Sequence, residues 1–420
     1  MTSLPGVADG RLADLAPIRA GALARALEAL DSEGEETRLV GGAVRDLALG
    51  AKPGDFDLAT TATPDIVMKR ARKAGFAVVP TGIAHGTVTL VEDGRPIEVT
   101  TLREDIETDG RRAVVRFGRD FKLDALRRDF TINALSIGRD GAIHDYCGGL
   151  ADLAARRVRF IGDARQRIRE DYLRVLRFFR FSARYAEGPL DAEGLAASVA
   201  EREGLRQLSR ERVRSEVLKL IAAPRAVEIV AALSDCGVLG LLFAGVAQPA
   251  RFARLAAIET AGGVEADATL RLGALGVLVR EDAERLRERL RLSNAEFDRL
   301  DALARSREAS HGETAPRSLG DLRTLLFAKG RQGARDAVTM AHVASSAAPD
   351  DSGFASAYRF VSDTPSPQLP FAGADVVARG VAPGQRVGMV LKRLQASWIR
   401  AGFPREPETL ARLLDEALRD

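Results

Sequence analysis

Cysteine is nearly absent from this 420-residue chain, with only Cys147 and Cys236 present. Two scattered thiols build neither a disulfide framework nor a zinc site, so a reducing compartment is expected. Long apolar runs are missing too. The longest uncharged stretch that leans apolar, Cys236 to Ala250, contains glycines, a glutamine and a proline and is shorter than a membrane span. The first ten residues, Met1-Thr-Ser-Leu-Pro-Gly-Val-Ala-Asp-Gly10, lack the basic start and apolar core of a secretory leader. These absences predict a soluble, cytoplasmic chain. No repeat period or low-complexity tract stands out.

What is present describes a folded protein. Hydrophobic residues make up 46% and charged residues 29%, a globular balance. A chain of 420 residues exceeds one compact core, so two to four domains are expected. The net charge is only +3, yet ten arginines face three acids (Asp163, Glu170 and Asp171) between Ala155 and Arg184. Such a local excess suggests a polyanionic partner.

Periodicity divides the chain in two. Residues 12 to 30 have helical spacing, and Pro64 opens a second helix running to Ala74. Strand patterns follow at Phe76–Val79, Thr87–Val91 and Ile97–Leu102, the last two joined by a hairpin turn at Glu92-Asp-Gly-Arg95. The charged segment Arg103 to Lys122 reads as a mobile loop. A further hairpin is expected from Ile132–Ile137 and Ile143–Tyr146, and a last strand at Arg157–Ile161. Beyond Gly162 helical spacing continues, with breaks at Gly188-Pro189, Ala223-Pro224, Gly262-Gly263, His311-Gly312, Gly330 and the Pro-rich stretch 364–370. Ser293-Asn-Ala-Glu296 is a capping box.

Chemistry concentrates in a few stretches. Leu39-Val-Gly-Gly-Ala-Val-Arg-Asp46 reads as a strand, a turn and a helix. Backbone N–H groups at Gly41 and Gly42, with Arg45 one turn on, suit an anion. No Gly-Lys-Ser/Thr follows, so this is not a Walker loop. Asp55 and Asp57 sit at i and i+2 of a strand and project together, with Phe56 facing a core; paired carboxylates of this kind hold a divalent cation. A salt bridge, for instance to Arg45, is the competing explanation. Glu98, between Ile97 and Val99, is the candidate third carboxylate.

In Arg127-Arg-Asp-Phe-Thr-Ile-Asn-Ala134, the arginines (Arg128 among them) supply charge for phosphates, while Asp129 and Asn133 can hydrogen-bond a ribose. In Glu170-Asp-Tyr-Leu-Arg-Val-Leu-Arg-Phe-Phe-Arg-Phe181 one helix is expected to bury Leu173, Leu176 and Phe179. It presents Asp171 and Arg174 on a common face, either as an ordinary helix ion pair or as a base reader. A carboxylate accepts the exocyclic amine of cytosine or adenine and a guanidinium donates to the adjacent ring nitrogen, whereas uracil and guanine reverse both groups.

In order, Leu39–Asp46 with Asp55-Phe-Asp57, Arg127–Ala134, Asp145-Tyr-Cys-Gly-Gly-Leu-Ala-Asp152 and Glu170-Asp-Tyr-Leu-Arg174 resemble the motif set of the bacterial tRNA nucleotidyltransferase and poly(A) polymerase family. Arg210-Glu-Arg-Val-Arg-Ser-Glu216 is similar to the family's last motif, and Phe371–Gly388 to its C-terminal signature. The resemblance implies an α+β protein. A polymerase-β-type head of small mixed sheet and helices spans 1–155, followed by an all-α neck (156–235), body (236–330) and tail (331–420). It implies two Mg²⁺ ions on Asp55 and Asp57; Glu98 is the candidate for a further catalytic carboxylate from its strand position alone. Gly41, Gly42, Arg45, Arg128, Asp129, Asn133, Asp171, Arg174 and Arg177 are expected at the nucleotide, and Arg180, Arg184 and Arg210 at RNA.

The implied reaction is addition of CCA to the 3′ end of tRNA from CTP and ATP. The segment Thr81-Gly-Ile-Ala-His-Gly-Thr87 is closer to the CCA-adding pattern than to the basic segment of poly(A) polymerases. The charged segment 103–122, absent in CC-only enzymes, is present. Poly(A) synthesis and partial (A-only or CC-only) addition are the alternatives. An RNA-binding protein with an inactive head is a different class, against which the intact Asp55 and Asp57 argue.

Overall fold

The computed structural model describes residues 4–83, 86–109, 112–309 and 315–419. The chain forms two compact units, Met1–Leu241 and Leu242–Asp420.

The first unit is built on a seven-stranded mixed sheet. Its strands are β1 (Thr37–Val40), β2 (Phe56–Thr60), β3 (Ala77–Gly82), β4 (Thr87–Glu92), β5 (Arg95–Thr101), β8 (Ser136–Ile137) and β9 (Ile143–His144), in spatial order β9-β8-β1-β2-β5-β4-β3. A separate ribbon pairs β6 (Arg103–Asp109) with β7 (Arg112–Phe117). Only the β2/β5 pair is parallel, and it joins the two strands that carry Asp57 and Glu98. The Asp-Gly turn works as expected: Asp93 and Gly94 both take positive φ, the conformation a tight two-residue hairpin needs. Helix α1 (Gly42–Ala48) follows β1, and α2 (Pro64–Lys73) follows β2.

Several expectations are corrected. The charged segment after Arg103 is not simply a loop but the β6/β7 ribbon, then helix α3 (Phe121–Leu126), capped by Asp120 through the Lys122 N–H at 2.7 Å. An antiparallel ladder satisfies its backbone groups whatever the side-chain pattern, so polar composition did not reveal it. The leading helix is divided into Ala16–Arg19 and Gly21–Leu30, because Ala20 between them is extended (φ −131°, ψ 157°) and Gly21 follows at φ +68°. Residues 131–133 form a single 3₁₀ turn, leaving only Ser136–Ile137 as strand. The expected strand Arg157–Ile161 contributes one isolated bridge, Phe160 to Phe130.

Helices dominate from Ala164 onward. The expected single helix over Glu170–Phe181 is interrupted: α4 (Ala164–Glu170) ends where Asp171 turns extended (φ −155°, ψ 104°), and α5 (Leu173–Tyr185) begins two residues later. Leu173, Leu176 and Phe179 are buried as their spacing implies. Phe130, Phe160, Phe178 and Phe181 pack with ring centroids 4.9–6.5 Å apart, fixing the 130 turn to α5. Helix α6 (Arg210–Ile221) packs along α5.

The second unit is all helical in its described residues. Ser293 and Glu296 form the capping box, with Ser293 N–H donating to Glu296 Oε2 at 2.6 Å. The expected break at Gly330 is present: with φ 65° and ψ 179° it is non-helical and divides the span Leu319–Ala344 into two helical segments at a kink. The expected break at His311-Gly312 lies outside the described residues. Both cysteines are free, and among the described residues no helix is long and apolar enough to cross a membrane.

Candidate active site

The sheet register brings the carboxylates together. Asp57 is the second residue of β2, directly opposite Glu98 on the parallel neighbour β5, so both side chains emerge on one face. Asp55 precedes the strand by one residue. Ile97 and Val99, flanking Glu98, are buried, while Glu98 is exposed. Phe56 is only half-buried, so its anchoring is weaker than alternation suggests.

Among the described residues, none of these three carboxylates has a hydrogen-bond or ion-pair partner, and no group of three or more acidic, His or Cys side chains is placed to hold a metal ion by itself. Arg45 is not their counter-charge: it donates to Asn133 Oδ1 (2.6 Å) and Asp46 Oδ1 (3.0 Å), with its guanidinium 4.0 Å from the Tyr185 ring centroid. The Asp57 carboxyl is pushed above its ordinary range by partial burial and by Glu98 and Asp55, against the opposing pull of Arg128. Although Asp57 is exposed at its rim, the crowding of its carboxyl by protein and by neighbouring negative charge is what raises it.

A raised carboxyl pKa opposes folding once the group ionises. The penalty is absent below the ordinary aspartate value and develops as pH rises through the native value. Asp57→Asn is therefore expected to raise the melting temperature of metal-free protein at neutral pH and to give no gain at low pH. Thermal melts across pH check this.

Arg128 is aimed by its surroundings. Its guanidinium binds Asp124 Oδ2 at 3.0 Å and the Asn133 carbonyl at 3.2 Å. Burial alone would raise the Asp124 carboxyl, but Arg128 and Arg127 outweigh it and hold it below the usual range. Gly41 takes φ +70°, which favours glycine, and a Cβ there would lie 2.8 Å from Arg128 Nη1, so a larger residue would push the Arg128 guanidinium aside.

Asp129 and Asn133 form a clamped pair. Asp129 Oδ1 accepts from Phe130 N–H (2.9 Å) and Asn133 Nδ2 (3.0 Å), and Oδ2 takes Arg177 at 2.6 Å. Buried Glu216 on α6 binds Arg180 and lies 4.0 Å from Arg177. A continuous polar chain thus runs Arg45, Asn133, Asp129, Arg177, Glu216, Arg180.

Asp171 and Arg174 do not pair with each other. Asp171 Oδ2 accepts from Arg212 at 2.7 Å and Oδ1 from Leu173 N–H at 3.1 Å. Arg174 binds Glu170 Oε2 (2.6 Å) and the Arg167 carbonyl (2.8 Å). The helix ion pair is therefore not formed: Asp171 lies at the break between α4 and α5, where Arg212 and the Leu173 N–H take its carboxylate. Arg184 is exposed and donates to Tyr185 Oη at 3.1 Å, and Arg210 is exposed at the start of α6.

The arginine excess is mostly internal. Arg157 and Arg159 bind Asp152, Arg165 and Arg169 bind Glu201, and Arg156 reaches Glu187. Together with the Glu170, Asp129 and Glu216 pairs, nine of the ten arginines have a carboxylate within 4.0 Å. Asp124, Arg212 and Tyr185 were not singled out from sequence. Only Asp124, four residues before Arg128 on a short helix, had a local signal.

Residues 37–159 match the family model described as "Poly A polymerase head domain", and residues 190–248 match "Probable RNA and SrmB- binding site of polymerase A". The chain is 32% identical over 408 residues to the mouse protein "CCA tRNA nucleotidyltransferase 1, mitochondrial", covering 91% of this chain and 87% of that one. The chain belongs to the CCA tRNA nucleotidyltransferase family. The human protein of the same name is 44% identical over 209 residues, about half of each chain (49% and 48%). The solved Bacillus stearothermophilus CCA-adding enzyme in complex with CTP superposes with a TM-score of 0.70 at 27% identity, covering 94% of this chain and 96% of that one. The family's nucleotidyltransferase head therefore coincides with the carboxylate-bearing sheet.

Proposed function

We propose that this chain adds C, C and A to the 3′ end of tRNA from CTP and ATP, without a template and with release of pyrophosphate. The observation that carries this is the facing of Asp57 and Glu98 across paired strands, beside Asp55 and Arg128, within a family-matched head. Unpaired carboxylates pressed together are a donor set suited to a hard cation. Asp55 and Asp57 would hold Mg²⁺, which when bound neutralises charge on the triphosphate and favours attack by the RNA 3′-oxygen on the α-phosphorus.

The chain's own residues position the rest. Arg128 and the Gly41-Gly42 turn approach the triphosphate, and Asn133 and Asp129, clamped by Arg45 and Arg177, face the ribose. Asp171 and Arg174 read the base edge. The division into head, neck, body and tail belongs to the same reading, as does a reducing, cytoplasmic location, which the two free thiols suit. The mouse relative's printed name places that protein in mitochondria.

The test supplies tRNA lacking its last three nucleotides, Mg²⁺ and labelled CTP or ATP. Incorporation of two C and one A is expected; none with either nucleotide rejects the reading. The name of the matched head model keeps poly(A) synthesis as the second reading, which long A-tails on unrelated RNA would favour. For the base readers, Asp171→Ala is expected to erase most of the preference for CTP and ATP over UTP and GTP, about tenfold or more in kcat/KM ratio. Steady-state rates with all four nucleotides measure it.

A further inference from the structure

Two groups of opposite charge three residues apart, both needed at a base edge, carry an inherent hazard: they can neutralise each other. Asp171 and Arg174 have that spacing, yet each is held by a different partner. Arg212 of α6 binds Asp171 at 2.7 Å, and Glu170 binds Arg174 at 2.6 Å. Asp171 is also pinned by the Leu173 N–H through its other oxygen, which orients the carboxylate across the helix break. The remaining lone pairs are left for a ligand.

Arg212 is not an isolated surface cation. It lies one helical turn before Glu216, the buried acid that holds Arg180, so both sit on the side of α6 that faces α5. The ion pair itself is half open, with side-chain exposures of 50% for Arg212 and 32% for Asp171. Pairs this exposed add little to folding stability. Their value lies in geometry: an occupied Oδ2 fixes which way Asp171 points.

We infer that Arg212 is a specificity-determining positioning residue, which holds Asp171 apart from Arg174 so that both remain available to the incoming base. The inference rests on the base-reading role assigned above to Asp171 and Arg174. Arg212 does not touch the nucleotide in this account; it acts through Asp171. Without it, Asp171 swings towards Arg174, and the nucleotide must break that pair to bind.

The experiment compares Arg212→Ala, Arg212→Lys and Asp171→Ala in the full-length protein with tRNA lacking CCA. Rates are measured with CTP, ATP, UTP and GTP. For Arg212→Ala, KM for CTP and ATP is expected to rise about fivefold and the CTP-over-UTP ratio of kcat/KM to fall by a similar factor, the worth of one half-exposed ion pair. The melting temperature should stay unchanged, and Arg212→Lys should restore most of the preference. If Arg212→Ala keeps the parent ratio while Asp171→Ala loses it, the inference about Arg212 is overturned and base reading stands. If Asp171→Ala also keeps the parent ratio, the base-reading assignment itself falls, and this inference with it.

Discussion

Asp57→Ala, and equally Asp55→Ala, is expected to lower nucleotide addition at least about a thousandfold, roughly 4 kcal/mol in the barrier. The argument is electrostatic. Burial first, and then the negative charges of Glu98 and Asp55, raise the Asp57 carboxyl, and among the described residues none of the three has a cationic partner in contact. Such a cluster is unfavourable for the fold alone, so removing one charge should not unfold the head. The loss appears where charge develops on the phosphates. Single-turnover rates with excess Mg²⁺ measure the catalytic effect, and a gel shift with tRNA checks that binding persists. A variant that adds nucleotides at the parent rate removes the pair from the mechanism.

The second large effect falls on stability. Asp129→Ala removes a nearly buried carboxylate that satisfies the Phe130 N–H, the Asn133 amide and the Arg177 guanidinium at once. Breaking a buried pair strands its partner, and roughly 3 kcal/mol of stability is expected to go. Urea unfolding should register it as a lower midpoint with little change in slope. Because Asn133 in turn receives Arg45, nucleotide addition should also fall. Asp129→Asn keeps the shape but not the charge and should lie between parent and alanine in both measurements.

What could be read from sequence was local. The Asp93-Gly94 turn names its hairpin because only certain residues accept two consecutive positive φ angles. Glu98 between two buried β-branched residues reveals its own exposure. The partnering of Asp57 with Glu98 is less legible, since a parallel register is set between residues 41 positions apart in the chain. Asp171 shows the limit most clearly. Periodicity over Leu173, Leu176 and Phe179 gives no sign that the helix breaks just before them, and Arg212 lies 41 residues further on. Most of the polar relay from Arg45 to Arg180 was out of reach for the same reason: apart from the local Asn133–Asp129 link, each joins a different element.

The pairing of the arginines between Arg156 and Arg184 bears on how RNA binding will respond to salt. A guanidinium already neutralised by Asp152 or Glu201 has no full charge to exchange for the condensed ions along a phosphate chain. Counterion release counts uncompensated cations. The slope of log affinity against log salt for this segment should then be shallow, near the contribution of Arg184 and the more open pairs. Affinity will persist at ionic strengths that would strip a protein whose arginines all pointed at water.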